Sequence, residues 1–227
     1  MVNHLYSVVY YEARSNGIVK VRTTVSIENT SGGRLGYVRE MDYDRYQQFL
    51  ADLDAETHSK EGVVVDARFN TGGHVATFIL DVLARRSVLL SAFRDRPPVD
   101  AGHISGNRVL NKPTVLVINE GSRSNTEMLA ESYRRLGLGK VVGRPSAGAV
   151  IWTTSRMLLT GTLLKLPRTK VATPEGEDLE GTGRAVDVDV PLPMGEPARG
   201  VDRQLDAAVA TLLAQIDGAR STTGTRE

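Results

Sequence analysis

The feature that most constrains the fold of this chain is a strand–turn–helix pattern around Ser124. The apolar run Thr114–Ile118 has the composition of a buried strand, and apolar residues recur at helical spacing from Met128 to Leu136. The segment between them must turn the chain sharply. A serine at such a turn lies beside a helix N-terminus, where unpaired N–H groups and partial positive charge can stabilise an oxyanion.

Ser124 has two interpretations, which are compatible with each other. It is a good helix N-cap, and Glu127 lies three residues further on, as in a capping box. It is also placed where a nucleophile could be activated. Because caps are far commoner than nucleophiles, the pattern around Ser124 alone favours the cap. Whether Ser124 is also a nucleophile depends on evidence from the rest of the chain.

Composition limits the classes of protein to consider. The 227 residues, 41% of them hydrophobic, suffice for one sizeable core, and the net charge of +1 without a basic block argues against a nucleic-acid partner. Without cysteine there is no disulfide, thiolate metal site or cysteine nucleophile. No apolar run approaches the roughly 20 residues of a membrane span, and residues 1–6 do not resemble a signal peptide. We therefore expect a cytoplasmic protein without a membrane partner, unless the sequence is a piece of a longer one with a leader.

Periodicity predicts an α/β fold. Strands are expected at 5–12, 18–27, 35–38, 63–69, 88–93, 114–118 and 140–143, with two or three antiparallel strands in 150–172. Helices are expected at 42–53, 74–86, 125–136 and 201–216, and loops at 95–112, which contains two adjacent prolines, and at 174–184. Strands and helices alternate in the middle third, which favours parallel βα units, and the β-rich ends indicate added antiparallel strands.

This pattern predicts three segments. Residues 1–32 form a β-rich N-terminal segment packed on the core, residues 33–216 form the α/β core, and residues 217–227 form a disordered tail.

A second strand–turn–helix pattern ends in Gly72-Gly73. Two glycines let the backbone approach a ligand closely or take a positive φ, and N–H groups at a helix start can bind developing negative charge. The alternative is a plain βα loop; the spacing and the lack of a lysine exclude a P-loop. Because parallel strands present like ends at one edge, the glycine turn and the Ser124 turn are expected to meet there.

Five segments in collinear order resemble the core domain of the tail-specific, or C-terminal processing, serine peptidases, and above all their tricorn branch. The segments are VVVDARFNTGG, VLVINEGSRSNTEM, LGLGKVVGRPSAG, DLEGTGRAVDVDV and RQLDAAVATLLAQI. The resemblance covers about residues 33–216. It implies a crotonase- and ClpP-like core of ββα units, here with antiparallel β additions at both ends.

The resemblance also implies roles for particular residues. Ser124 matches the nucleophile, and Asn125 matches the residue whose backbone N–H enters the oxyanion hole. Gly72 and Gly73 match the glycines that supply the other N–H, and Glu180 matches the glutamate that orients the catalytic histidine in the tricorn branch. A peptide or protein substrate is implied, and no cofactor.

The general base is left open. The tail-specific branch uses a lysine about 25 residues after the serine, but Ala149 stands at that place. The tricorn branch uses a histidine far upstream, in a segment that this chain does not contain in its usual form. The four histidines are candidates in the order His74, His103, His4 and His58. A surface or pocket-wall position is the alternative for each.

Other polar and aromatic residues have simpler interpretations. Asp66 and Arg68 are expected to form a structural pair, and Trp152 either lines a substrate groove or belongs to the core. Asp187 and Asp189 lack an evident third ligand, so no metal is expected. A basic strand edge is expected to be a solvated face; it contains Lys165, Arg168 and Lys170.

We expect a serine peptidase in which substrate pairs as an added strand along residues 150–156. One alternative is a non-proteolytic peptide- or ligand-binding member of the fold that lacks a complete triad. Another is a subunit that takes its base from a second chain. The oligomeric state, including a homo-oligomer, is left open.

Overall fold

The computed structural model describes residues 6–14, 17–25, 35–39, 49–50, 53, 60–100, 110–196, 199 and 201–223. The strands are β1 (Tyr6–Arg14), β2 (Gly17–Val25), β3 (Leu35–Arg39), β4 (Gly62–Asp66), β5 (Leu90–Phe93), β6 (Arg96–Asp100), β7 (Thr114–Ile118), β8 (Gly139–Gly143), β9 (Ile151–Met157), β10 (Leu163–Lys170) and β11 (Val188–Asp189). The helices with full bounds are α1 (Ala76–Ala84), α2 (Asn125–Arg135) and α3 (Arg203–Thr223).

The centre of the fold is a five-stranded sheet in the order β11–β8–β7–β4–β3, in which every neighbouring pair is parallel. All residues of β4 and β7 are buried, as expected for a parallel sheet with both faces covered. Successive side chains alternate between the two faces. Val63 and Val65 belong to the core on one face, and Val64 belongs to the core on the other.

Helices cover both faces. On one face α1 and α2 contribute Ile79, Leu83, Leu129 and Tyr133 to the core. On the other face α3 contributes Leu205, Val209 and Leu212. These residues pack with Val64 of β4 and with Val115 and Val117 of β7. The predicted α/β architecture with parallel βα units is therefore confirmed.

The added antiparallel strands are also present. β1 pairs with β2, β5 pairs with β6 and β9 pairs with β10, each as a two-stranded antiparallel sheet. The predictions for 5–12, 18–27 and 150–172 thus correspond to two hairpins. Between β10 and β11 the chain is a loop with a single bridge, from Ala172 to Asp178.

Two sequence-based predictions were wrong in part. Residues 96–100 of the predicted loop form β6. Its prolines are tolerated because, among the strands that the structure describes, β6 pairs with β5 alone and leaves its other edge unpaired. The last helix continues to Thr223, so residues 217–223 of the predicted disordered tail are helical. An ion pair of 3.0 Å between Arg220 and Glu61 lies in this extension and ties it to the body of the fold.

Several predictions concern residues outside those described. Of the helix expected at 42–53, only Phe49, Leu50 and Leu53 are described; they are helical and buried. The boundary at residue 33 and the end of the tail at 224–227 stay predictions. No helix in the described ranges combines the length and apolar character that a membrane crossing requires.

Candidate active site

The glycine turn and the Ser124 turn meet, because β4 and β7 are parallel neighbours and both turns follow at the same edge. The N–H of Arg123 donates to the carbonyl oxygen of Asn70 at 2.9 Å, which joins the two turns directly. The side chain of Asn119 accepts from the N–H of Phe69 at 3.0 Å, and the hydroxyl of Ser122 donates to the carbonyl oxygen of Ala67 at 2.9 Å. The expected meeting of the two turns is therefore present.

Ser124 is the N-cap of α2 and has a strained backbone. Its φ of 57° and ψ of −118° lie in a region that L-residues rarely adopt, and such strain concentrates at functional sites. Its N–H donates to the carbonyl oxygen of Ala149 at 3.0 Å and to Glu127 Oε2 at 2.9 Å. Ser124 is half-buried, so part of the residue is exposed to solvent.

The backbone N–H groups of the two turns differ in whether they already have a hydrogen-bond partner. The N–H of Gly72 is occupied, because it donates to Asn70 Oδ1 at 2.8 Å. The N–H groups of Gly73 and Asn125 have no hydrogen-bond partner in the part of the chain that the structure describes. Gly73 has a φ of 144°, and a Cβ there would meet nothing within 4 Å, so this turn borders open space.

Asn125 is held by its side chain. Its Oδ1 accepts from the N–H of Ala76 at 2.8 Å, and the residue is 5% exposed. The amide therefore links the start of α2 to the start of α1. This bond fixes the direction of the Asn125 N–H relative to the glycine turn.

Glu127 does more than cap the helix. Its carboxylate is fully buried and accepts four hydrogen bonds. Oε1 accepts from the hydroxyl of Ser146 and the N–H of Gly148, both at 2.6 Å, and Oε2 accepts from the N–H groups of Ser124 and Ala149, both at 2.9 Å. The capping box is present, and the same carboxylate fixes the segment 146–149 against the serine turn.

Glu180 binds Val150, the residue that follows the segment 146–149. Its Oε2 accepts from the N–H of Val150 at 2.5 Å, and the N–H of Gly181 donates to the carbonyl oxygen of Gly148 at 2.8 Å. Glu180 is exposed, so its carboxylate can also meet a group that approaches from solvent. Ala149, in the position of the lysine of the tail-specific branch, carries no ionisable group.

His74 is the one candidate base within the described residues; His103, His4 and His58 lie outside them. The imidazole of His74 stacks on the indole of Trp152 with ring centroids 5.1 Å apart and an angle of 11° between the planes. Trp152 is 36% exposed, so it lines the site and is not a core residue. A stacked imidazole still presents its ring nitrogens at its edge.

Arg68 is the centre of a buried ion network behind the glycine turn. Its guanidinium donates to Asp66 Oδ2 at 2.7 Å, to both oxygens of Asp202 at 2.8 Å and to Gln204 at 3.3 Å. Burial acts to lower the pKa of Arg68, but Asp66 and Asp202 outweigh it and hold that pKa well above its ordinary value. The Asp66–Arg68 pair expected from the sequence is thus part of a larger set that joins β4 to α3.

Asp187 and Asp189 have structural partners. Asp187 Oδ2 accepts from the N–H of Val141 at 2.8 Å, and Asp189 pairs with Arg144 at 2.8 Å. Within the described ranges, no group of three or more histidine, aspartate or glutamate residues is arranged to hold a metal ion.

Sequence reasoning missed three side chains that build the site. These are Asn70, which fixes the glycine turn, Asn119, which bridges the two turns, and Ser146, which binds Glu127. An asparagine in each of the two turns that follow buried strands was the available signal, because its side chain readily bonds nearby backbone N–H groups. Nothing in the sequence distinguished Ser146.

The comparisons with known proteins agree with this geometry. Residues 34–190 match the profile of Peptidase family S41. The chain is 36% identical over 195 residues to Tricorn protease homolog 1 of Streptomyces coelicolor, covering 84% of this chain and 18% of that protein. It is 26% identical over 197 residues to a Carboxy-terminal-processing protease of Bartonella bacilliformis, covering 82% of this chain and 44% of that protein.

A solved structure supports the fold. The crystal structure of the tricorn protease superposes with a TM-score of 0.74 at 21% identity, over 95% of this chain and 23% of that chain. The chain therefore spans less than half the length of each of these relatives. The family match and the identity to the tricorn protease homolog agree with the resemblance drawn from the five segments. The chain belongs to peptidase family S41.

Proposed function

We propose that this chain is the catalytic core of a serine peptidase, with Ser124 as nucleophile. The observation that carries the proposal is the pair of unoccupied N–H groups, on Gly73 and Asn125, beside a serine with a strained backbone. One N–H comes from each turn, as a main-chain oxyanion hole requires. In related chemistry the loss of one such donor costs about 3–4 kcal/mol of transition-state stabilisation.

The reaction follows from these positions. The Ser124 oxygen attacks the peptide carbonyl carbon while its proton passes to a base, and the carbonyl oxygen becomes an oxyanion held by Gly73 and Asn125. The base then gives the proton to the leaving amine as the C–N bond breaks. Water hydrolyses the resulting acyl-serine by the same steps in reverse, which regenerates Ser124 and releases a carboxylic acid.

We assign the base to a histidine oriented by Glu180. His74 is the first candidate, because it directly follows the oxyanion turn and its ring edge stays available for a hydrogen bond in the stack with Trp152. His103, His4 and His58 are the alternatives. Separate exchange of each histidine for glutamine, with the acylation rate as readout, identifies the base.

The substrate is proposed to be a peptide in extended conformation. In the described part of the chain β9 pairs with β10 alone, so the other edge of β9 is available for an added strand. β9 begins at Ile151, two residues after Ala149, whose carbonyl oxygen accepts from the N–H of Ser124 at 3.0 Å. This edge therefore starts beside the serine turn. A cytoplasmic location and self-association also stay predictions. Cell fractionation tests the location, and light scattering tests self-association.

A fluorophosphonate probe tests the function, because it reacts only with an activated serine. We expect labelling of the wild type and of Ser155→Ala, and no labelling of Ser124→Ala. Ser155 is a matched control because it is an exposed serine on β9.

The second candidate function, a non-proteolytic binding domain, is favoured by one observation. Among the described residues, no histidine or lysine side chain makes a hydrogen bond to the Ser124 hydroxyl. No labelling across the pH range in which histidine titrates would decide for it.

A further inference from the structure

The β9–β10 hairpin presents one continuous exposed face that begins at the candidate site. Residues directly opposite in an antiparallel pair share a face. Thr154 pairs with Leu166 and Arg156 pairs with Leu164, and both pairs lie on the side of the hairpin that carries Trp152, two and four residues before them on β9. We call this the Trp152 face; its members are Trp152, Thr154 and Arg156 of β9 and their partners Thr169, Leu166 and Leu164 of β10.

This face is apolar and open. Trp152 and Leu166 are each 36% exposed and Leu164 is 43% exposed. At its inner end Trp152 stacks on His74, which directly follows Gly73 of the proposed oxyanion hole. A peptide added as a strand along the free edge of β9 would therefore place every second side chain on this face, next to Trp152 and Arg156.

The outer end of the face carries a positive charge. Residues 151–170 contain no aspartate or glutamate. Lys165 lies opposite Ser155 and Lys170 lies opposite Ile151, so both lie on the other face, and Lys170 is also paired with Asp178 at 3.1 Å. Arg156 has no ion pair with any residue that the structure describes, and it is exposed.

We propose that the Trp152 face binds the substrate chain beyond the scissile bond and that Arg156 selects a carboxylate there. At about 3.3 Å for each residue of an extended strand, Arg156 lies about 13 Å, or four residues, along β9 from Trp152. The preferred substrate is thus an extended peptide with apolar residues near the cleaved bond and an acidic residue roughly three to five positions away. This inference rests on the proposed function, because it takes the peptide cleaved by Ser124 as the occupant of the face.

Binding to Ser124→Ala tests the proposal without requiring cleavage. The probes are blocked, otherwise uncharged twelve-residue peptides of apolar and polar residues, each with a single aspartate at a different position, and the uncharged parent peptide. Trp152 is the sole tryptophan of the chain, so its emission reports on occupancy of the face. We expect the best aspartate peptide to bind about 2- to 5-fold more tightly than the parent at low salt, and this preference to shrink as salt is added.

Two variants of the same hairpin make the test specific. Arg156→Gln in the Ser124→Ala background should remove the preference for aspartate, so that the aspartate peptides and the parent peptide bind this variant with equal affinity. Lys165→Gln, the matched control on the opposite face, should keep the preference. Both side chains are exposed, so neither exchange disturbs the core, and thermal unfolding verifies this.

Several outcomes would overturn the proposal. These are equal binding of the aspartate and parent peptides, equal loss of preference in both variants, and no change of Trp152 emission with any peptide. Self-association that Arg156→Gln abolishes and peptides do not displace would assign the face to a second copy of the chain instead. Arg156-dependent peptide binding without fluorophosphonate labelling of the wild type would support the Trp152 face as a peptide site and reject the peptidase activity. Labelling without such binding would support the peptidase activity and reject this role of the Trp152 face.

Discussion

Gly72 and Ser124 lie in direct contact across the two turns of the site. A Cβ built on Gly72 would stand 2.7 Å from the Cβ of Ser124 and 3.0 Å from the backbone nitrogen of Asn125. Gly72 also has a φ of 101°, so both the space and the backbone conformation require glycine. The distance between the proposed nucleophile and the proposed oxyanion donors thus depends on the absence of one side chain.

Exchange of Gly72 for alanine should therefore disable the site. The new methyl group must push Ser124 away, in addition to backbone strain of about 1–3 kcal/mol. We expect a lower melting temperature and loss of fluorophosphonate labelling. Gly176→Ala is the control, because Gly176 has a similar φ of 91° but nothing within 4 Å of its Cβ position. It should share the strain and keep full labelling; equal labelling of both variants would contradict the contact.

Exchange of Glu127 for glutamine should destabilise the serine turn. The glutamine amide would place an NH₂ group against N–H groups whose hydrogen bonds the carboxylate now accepts. Each lost hydrogen bond to a buried charged group costs about 1.5–3 kcal/mol. We expect urea unfolding at a lower concentration and slower labelling of Ser124. Glu120→Gln is the control on the same turn, since Glu120 is exposed and its ion pair within the described ranges is with Arg144. A Glu127 variant as stable as this control would show that the four bonds do not hold the segment 146–149.

Exchange of Arg68 for methionine should be severe. It removes the guanidinium from the buried carboxylate of Asp66, and removal of one member of a buried ion pair costs about 3–5 kcal/mol. The free energy of unfolding in urea measures this loss. Arg144→Met is the control: Arg144 also contacts two carboxylates, those of Asp189 and Glu120, but at the surface, where ion pairs contribute little. Similar losses in the two variants would refute the structural role of the buried network.

Stability should fall in alkali partly because of Tyr133. Burial raises the pKa of Tyr133 well above its ordinary value, although its 2.6 Å hydrogen bond with Thr114 acts in the opposite direction. Above about pH 10 the unfolded chain releases this proton while the folded chain keeps it, so the folded state loses stability as pH rises.

Tyr133→Phe tests this assignment. The variant should lose about 1 kcal/mol near neutrality, where the hydrogen bond to Thr114 is missing, and should show a shallower decline of unfolding free energy above about pH 10. Urea unfolding at a series of pH values measures both effects. Parallel declines of the wild type and the variant would assign the alkaline loss to other groups.

Much of the fold was predictable from local patterns. The runs of valine, leucine and isoleucine at 63–65 and 115–118 have no polar face, so they fit only strands buried on both sides. The turns after them were marked by Gly72-Gly73 and by a serine before a helical pattern. β6 was not predictable, because proline argues against a strand unless the strand lies at an edge, and edge positions are set by partners elsewhere in the chain.

The sequence by itself determined that two βα turns exist and which residues they carry, because strand, turn and helix propensities act between near neighbours. Only the tertiary structure decided that Gly72 touches Ser124, that Glu127 binds the segment 146–149 and that His74 stacks on Trp152. These contacts join residues about 20 to 80 positions apart, and nothing local specifies them. They arise because parallel pairing of β4 with β7 brings the carboxyl ends of both strands to one edge, where packing then fixes each distance.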